Sequence, residues 1–162
     1  MIRTAQPSDG DAIAAIYNPY VVNSVVTFET SSVDGVEMAS RITETIDAGL
    51  PYLVAVEDDR VVGYTYASKW KGRCAYSKTV ESSVYIDASF QGHGIGKKLY
   101  VALLDSLHAL DMHTVIGGIA LPNDASIALH ESLGFRKVAQ FEQVGFKLNG
   151  YVDVGYWQKI LE

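Results

Sequence analysis

The stretch Gln91-Gly92-His93-Gly94-Ile95-Gly96 joins a segment that alternates to a segment that repeats every three or four residues. Before it, Thr79 to Asp87 is rich in β-branched and aromatic side chains at alternating positions, which predicts a strand. After it, Ile95, Leu99, Leu103, Leu107 and Leu110 recur at steps of four and three, the pattern of one helical face. Glycines at a strand-to-helix bend let successive backbone N–H groups point outward together, and the helix N-terminus adds partial positive charge. A bend of this kind suits a phosphate or diphosphate. Glycine-rich turns also serve as plain connectors, so the position between strand and helix carries more weight than the glycines.

Two familiar phosphate motifs do not fit. The dinucleotide fingerprint requires glycine where Lys97 stands and lies early in a βαβ unit. The nucleotide-triphosphate loop requires glycine at Gln91 and Ser or Thr at Lys98.

Working outward, Ile2 to Ala5 predicts a short strand, and Pro7-Ser8-Asp9 a helix start ahead of Ile13, Ile16, Tyr17 and Tyr20. The polar run from Asn23 to Asp34 reads as irregular, and Gly35 to Ala48 as a helix stopped by Gly49. Tyr52 to Glu57 and Val61 to Lys69 form a hairpin around Asp58-Asp59. Beyond the central helix, Val115 to Ala120 is a strand, and Asn123 or Asp124 caps a helix ending near Leu133-Gly134. Phe135 to Phe146 and Tyr151 to Leu161 close the chain as paired strands. The order implies one α/β domain over residues 1–162: a mixed, twisted sheet flanked by helices, with right-handed crossovers in the middle.

The length of 162 residues allows one domain with a sizeable core, and 48% hydrophobic against 20% charged residues excludes a disordered chain. A formal net charge of −6 argues against nucleic-acid binding, and no apolar run is long enough to span a bilayer. Met1 to Thr4 does not begin like a signal peptide, and the single cysteine, Cys74, permits no internal disulfide, so a reducing cytoplasm is expected. His108 and His113 straddle a helix end without partners, and no metal is expected. Lys69, Lys71, Arg73 and Lys78 fall in a stretch free of acids, which reads either as a solvated loop or as a local site for a small anion.

The sequence Gln91-x-x-Gly94-x-Gly96, between such a strand and such a helix, resembles the hallmark of the GNAT superfamily of N-acetyltransferases. Asn123-x-x-Ser126 followed by Leu133-Gly134-Phe135 resembles that superfamily's second block, at the right separation. Trp70 to Tyr76, Thr79 to Ile86, Ile16-Tyr17-Asn18, Thr27-Phe28-Glu29, Leu121 to Asp124, and Val144 to Trp157 are similar to the phosphinothricin and methionine-sulfoximine acetyltransferases, across nearly the whole chain. The resemblance implies the acyl-CoA N-acyltransferase fold, acetyl-CoA as co-substrate, the α-amine of a small amino-acid analogue as acceptor, and a homodimer. It also implies that amides from His93, Gly94, Ile95, Gly96, Lys97 and Lys98 hold the diphosphate of coenzyme A.

Acetyl transfer from a thioester needs a neutral amine, a polarised carbonyl and a proton for the leaving thiolate. Glu81, on one face of its strand with Ser83 and Tyr85, is the expected general base, although a strand glutamate is otherwise most simply an exposed one. His130 stands where the superfamily often carries Tyr. It is the second catalytic candidate, as acid or base, against the alternative of a solvated helical histidine. The resemblance implies that a backbone N–H near Tyr85 or Ile86 polarises the carbonyl, a contribution of about 3 kcal/mol, and Asp87 beside them is a further candidate for cofactor binding. Asn123 is a candidate for the pantetheine arm as well as a helix cap. Arg73, with its planar fork, is a candidate for a substrate carboxylate or phosphinate, and Phe28, Tyr76, Ser82 and Ser83 are candidate pocket residues. Acetylation of a peptide N-terminus or polyamine, or silent acyl-CoA binding, are the competing functions.

Overall fold

A computed structural model describes all 162 residues. Eleven helices and strands follow in order: β1 (Ile2–Thr4), α1 (Gly10–Asn23), α2 (Gly35–Asp47), β2 (Tyr52–Glu57), β3 (Arg60–Lys69), β4 (Thr79–Ile86), α3 (Ile95–Ala109), β5 (Thr114–Ala120), α4 (Asp124–Ser132), β6 (Arg136–Lys147) and β7 (Gly150–Ile160). The strands form one seven-stranded sheet in the order β1-β2-β3-β4-β5-β7-β6. Only the β4–β5 pair, bridged by α3, is parallel, so the sheet is mixed as the element order implies.

Local chemistry sets the boundaries. Asp34 accepts a hydrogen bond from the Glu37 amide at 2.8 Å and starts α2, while left-handed Gly49 (φ 76°) follows its end. Asp58 and Asp59, with φ of 46° and 60°, make the tight turn between β2 and β3, a conformation that acidic and amide side chains tolerate better than bulky ones. Asn123 caps α4 by accepting from the Ser126 amide at 3.1 Å. At the N-terminus, a short 3₁₀ turn at Pro7–Asp9 precedes α1, and the nearly buried Asp9 carboxylate takes two bonds of 2.8 Å from Arg3. These bonds hold that carboxyl below its usual range.

The sheet separates two cores. On one face α3 packs Leu99, Leu103 and Leu107 against Val80, Val115 and Trp157. On the other, α1 and α2 pack Ile13, Tyr17 and Ile42 against Tyr52, Val54 and Tyr64. Facing residues of β2, β3 and β4 extend this second core as a row of stacked tyrosines, with Tyr52 and Tyr66 rings 5.0 Å apart. Each core buries full aliphatic side chains worth about 1.5–3 kcal/mol apiece, which fixes the sheet as a rigid platform.

Candidate active site

The parallel pair does not stay together. β4 and β5 pair only at Thr79↔Thr114, Val80↔Val115 and Glu81↔Ile116, after which the strands part. Beyond Glu81, β4 has no partner on its β5 side, so backbone groups aimed into the gap meet no ladder. The gap continues into a groove of about 640 Å³ that runs along Val84, Tyr85 and Ile86 to the glycine bend. At its closed end is a narrow space of about 50 Å³ edged by Ser82, Ser83, Tyr100, Gly118, Ser126 and His130. The two cavities share Val26, Val84, Tyr85, Asn123 and Ser126, so they form one continuous channel.

At the open end, Gly92 and Gly94 are left-handed, with φ of 78° and 75°. None of the amides from Gln91 to Lys97 donates to a protein group. The Lys98 amide is different: it already bonds the Gly94 carbonyl at 3.1 Å as the first turn of α3, and it leaves the expected anion set for that reason. Gln91 Nε2 donates to the Tyr20 hydroxyl at 2.8 Å, and that hydroxyl donates to the Ile86 carbonyl, pinning the bend to α1 and β4. A Cβ on Gly96 would lie 3.5 Å from Leu129 and 3.8 Å from Ile86, so a larger side chain would fill the groove.

Asp87 is expected at the cofactor, and the structure corrects this. Its amide bonds the Val62 carbonyl at 2.9 Å, and its carboxylate is held by Ser89 and Arg60. It braces the turn. His93 lies in the bend but does not line the groove, whereas Gly94, Ile95, Gly96, Lys97 and Asn123 do.

Glu81 is half-buried and its carboxylate makes no hydrogen bond; burial alone raises its pKa above the usual carboxylate value. Its oxygen faces Gly118 and Tyr156, since a Cβ on Gly118 would lie 3.2 Å from Glu81 Oε1 and 3.2 Å from the Tyr156 ring. Ser83 stands two residues along on the same face, register-paired with Tyr66. Ser82 does not share that face. It is buried on the α3 side, where its Oγ lies 2.7 Å from the Tyr100 hydroxyl.

His130 is not a solvated histidine: it is 4% exposed. Nδ1 lies 2.7 Å from the Ser126 carbonyl, an acceptor, so Nδ1 carries the proton and Nε2 accepts from the Tyr100 hydroxyl at 2.8 Å. Burial lowers its pKa, and the Ser126 carbonyl opposes the shift only in part. A Cβ on Gly117 would lie 2.4 Å from His130 Nε2. Gly117 and Gly118 are consecutive strand residues, so Glu81 and His130 sit on opposite faces of the sheet and do not pair.

Arg73 and Tyr76 also lie apart from Glu81 within the chain. With Leu50, Val80 and Met112 they edge a separate cavity of about 440 Å³ on the α3 side, because the β3–β4 connection folds back through a 3₁₀ turn at Cys74–Tyr76. Phe28 seats its ring over Gly145 of β6, at 2.4 Å from where a Cβ would be, and Lys147 ties the same loop down through the Thr27 carbonyl at 2.7 Å. Val26 of that loop roofs the groove.

Sequence reasoning did not single out Tyr100, Tyr20, Gly117 or Gly118 for the site. The available signals were a phenol on the otherwise aliphatic face of α3 and a glycine pair inside a strand.

A channel between parted parallel strands, ending in an anion-binding bend and flanked by an unpaired carboxylate, defines an acyl-transfer enzyme that uses a phosphorylated carrier. The chain belongs to the GNAT family of acetyltransferases, whose domain model matches residues 2–155. It is 39% identical to the phosphinothricin N-acetyltransferase of Streptomyces viridochromogenes over 161 residues, 99% of this chain and 87% of that one. It is 35% identical to the L-methionine sulfoximine/L-methionine sulfone acetyltransferase of Salmonella typhimurium, covering 99% and 94%. The crystal structure of a phosphinothricin acetyltransferase from Sinorhizobium meliloti in complex with acetyl-CoA superposes with a TM-score of 0.96 at 36% identity, covering 99% of this chain and 88% of that one. The protein is an N-acetyltransferase with acetyl-CoA as co-substrate, and the free amides and the clearance over Gly96 fit that molecule's diphosphate and pantetheine arm.

Proposed function

We propose that the enzyme transfers acetyl from acetyl-CoA directly to the α-amine of a small amino-acid analogue of the phosphinothricin, methionine sulfoximine or methionine sulfone type, with Glu81 as general base. The observation that carries the base assignment is the half-buried, unpartnered carboxylate of Glu81, beside the last β4–β5 pair. The names of the relatives support the acceptor class. In this mechanism the amides of Ile95, Gly96 and Lys97 hold the diphosphate, and backbone groups of β4 near Tyr85 and Ile86 polarise the thioester carbonyl. Glu81 takes the ammonium proton directly or through one water, and the amine nitrogen then attacks the carbonyl carbon. Collapse of the tetrahedral intermediate breaks the C–S bond and leaves the electron pair on sulfur.

Acetylation of phosphinothricin, methionine sulfoximine and methionine sulfone, followed by release of free thiol, tests the acceptor class. Turnover of peptide or polyamine amines with none of these three would overturn it. Glu81→Gln is expected to lower kcat by a factor on the order of 10²–10⁴, and a loss under about fivefold would remove Glu81 from the role, since a lone proton transfer is worth at least tenfold more. The same proposal includes a homodimer and detoxification in the cytoplasm. Exposed Phe141, Val144, Phe146, Leu148 and Tyr151 on the β6–β7 hairpin support self-association, which light scattering measures.

A further inference from the structure

Three buried groups on the α3 side remain unused by a mechanism built on Glu81. Ser82 Oγ, the Tyr100 hydroxyl and His130 Nε2 form one continuous hydrogen-bonded chain, with links of 2.7 Å and 2.8 Å. All three residues are at most 5% exposed, and Tyr100 is fully buried. The chain has a direction. Because Nδ1–H of His130 donates to the Ser126 carbonyl, Nε2 must accept from Tyr100, and the Tyr100 oxygen is then free to accept from Ser82. Its outer end also has a defined place. Ser82 is the first residue of β4 past the last pair with β5, so its hydroxyl stands where the channel closes. A carrier with its diphosphate at the glycine bend and its pantetheine arm along β4 would bring its thioester sulfur toward that closed end.

We propose that Ser82, Tyr100 and His130 form a proton relay that carries the second amine proton to the leaving thiolate, an inference that rests on the direct-transfer reading above. In the tetrahedral intermediate the nitrogen still bears one proton too many. That proton passes to Ser82 Oγ as the Ser82 proton moves to Tyr100 and the Tyr100 proton to His130 Nε2. When the C–S bond breaks, the path runs backward: Nε2–H returns its proton to Tyr100, Tyr100 to Ser82, and Ser82 to sulfur. Nothing is consumed, and the proton held by Glu81 leaves separately to solvent. Ser82 is the group that meets the reacting atoms, and Tyr100 and His130 act through it.

The surroundings suit a relay that gives its proton back. His130 is enclosed by the Tyr100 and Phe135 rings, 5.0 Å and 5.1 Å away, with no carboxylate bonded to it to trap an imidazolium. Burial chiefly raises the Tyr100 pKa, and the Glu81 carboxylate adds to that rise from across the sheet. A thiolate, whose thiol ordinarily titrates near 8.5, is a better proton acceptor than such a buried imidazole.

The test is a titration of the thiol of bound coenzyme A by the ultraviolet absorbance of its thiolate, with no amine present. It compares wild type with Tyr100→Phe, Ser82→Ala and Glu81→Gln. When the thiol proton passes to His130 the chain reverses and Ser82 donates to the thiolate. Severing the chain at Ser82 or at Tyr100 is therefore expected to raise the bound thiol pKa by about one unit, whereas Glu81→Gln, which removes a negative charge, is expected not to raise it. In turnover, Ser82→Ala is expected to lose kcat on the order of 10²-fold with an unchanged KM for acetyl-CoA. Ser82→Ala keeps the Tyr100–His130 bond and its packing, so it decides the matter even where Tyr100→Phe fails to fold. A bound-thiol titration identical to wild type in Ser82→Ala would overturn the relay. Failure of wild type to acetylate any of the three analogues would overturn the proposed acceptor class and leave the titration result standing.

Discussion

Adding a single methyl group at either of two neighbouring positions separates the two faces of the site. In Gly117→Ala the new Cβ would lie 2.4 Å from His130 Nε2 and 2.7 Å from its Cδ2. Both atoms belong to a buried ring held at each nitrogen, so the neighbour is not a flexible end that can swing away. Overpacking of this kind costs about 1–3 kcal/mol, and the gain from a stiffer unfolded chain offsets about 0.4–1 kcal/mol of it. A net loss of about 1–2 kcal/mol lowers the Tm of a chain this long by about 2–8 °C. In Gly118→Ala the closest approaches are 3.2 Å, to a carboxylate oxygen without a partner and to the edge of the Tyr156 ring. Those atoms need to give by only a few tenths of an ångström, so the two contributions nearly cancel and Tm stays close to wild type. Activity responds instead, because the methyl group presses on Glu81, and a small misplacement of a reacting group costs up to about 10²-fold in kcat. Thermal melts by circular dichroism near neutral pH, together with thiol-release kinetics, read both quantities. If Gly117→Ala melts with wild type, or Gly118→Ala is the less stable of the two, the opposite-face placement of His130 and Glu81 is wrong.

Gly96→Val is expected to fold normally yet weaken acetyl-CoA binding by tenfold or more, since its branches enter the groove beside Leu129 and Ile86; calorimetric titration measures this. Gln91→Leu removes the 2.8 Å bond to Tyr20 and is expected to weaken the same binding by about two- to tenfold, the worth of one net hydrogen bond. Because burial raises the Glu81 pKa, kcat/KM is expected to rise with pH through a value above the ordinary carboxylate range. The neutral form of Glu81 is favoured by the fold, so its contribution to stability is full below the unfolded pKa and is lost as pH rises through the folded one. Glu81→Gln is therefore expected to melt above wild type near neutrality, with the gap closing in acid. Asp9→Asn runs the other way: its pKa is lowered chiefly by the Arg3 hydrogen bonds, so the variant is expected to lose about 1–3 kcal/mol near neutrality, a deficit that vanishes as pH falls through the folded pKa.

Sequence by itself determined the elements and the glycine bend at the open end of the channel. Leu99, Leu103 and Leu107 announce the buried face of α3, and Asp58-Asp59, Gly49 and Asn123 announce turns and caps, because these signals are local and the chain responds to them within a few residues. The glycine bend is legible for the same reason, since its free amides follow from its position between a strand and a helix. Tertiary structure alone decided which groups meet at the closed end. Strand alternation correctly sets Glu81 and Ser83 on one face, but it cannot say that Ser82, one residue between them, reaches Tyr100 from α3 and His130 from α4. Nor can it say that the β3–β4 connection carries Arg73 and Tyr76 to the far face. Those contacts join residues 18 to 30 positions apart, and they exist only because β4 and β5 pair for three residues and then separate. That parting belongs to the arrangement of the whole twisted sheet and the helices on it, which no short run of residues encodes.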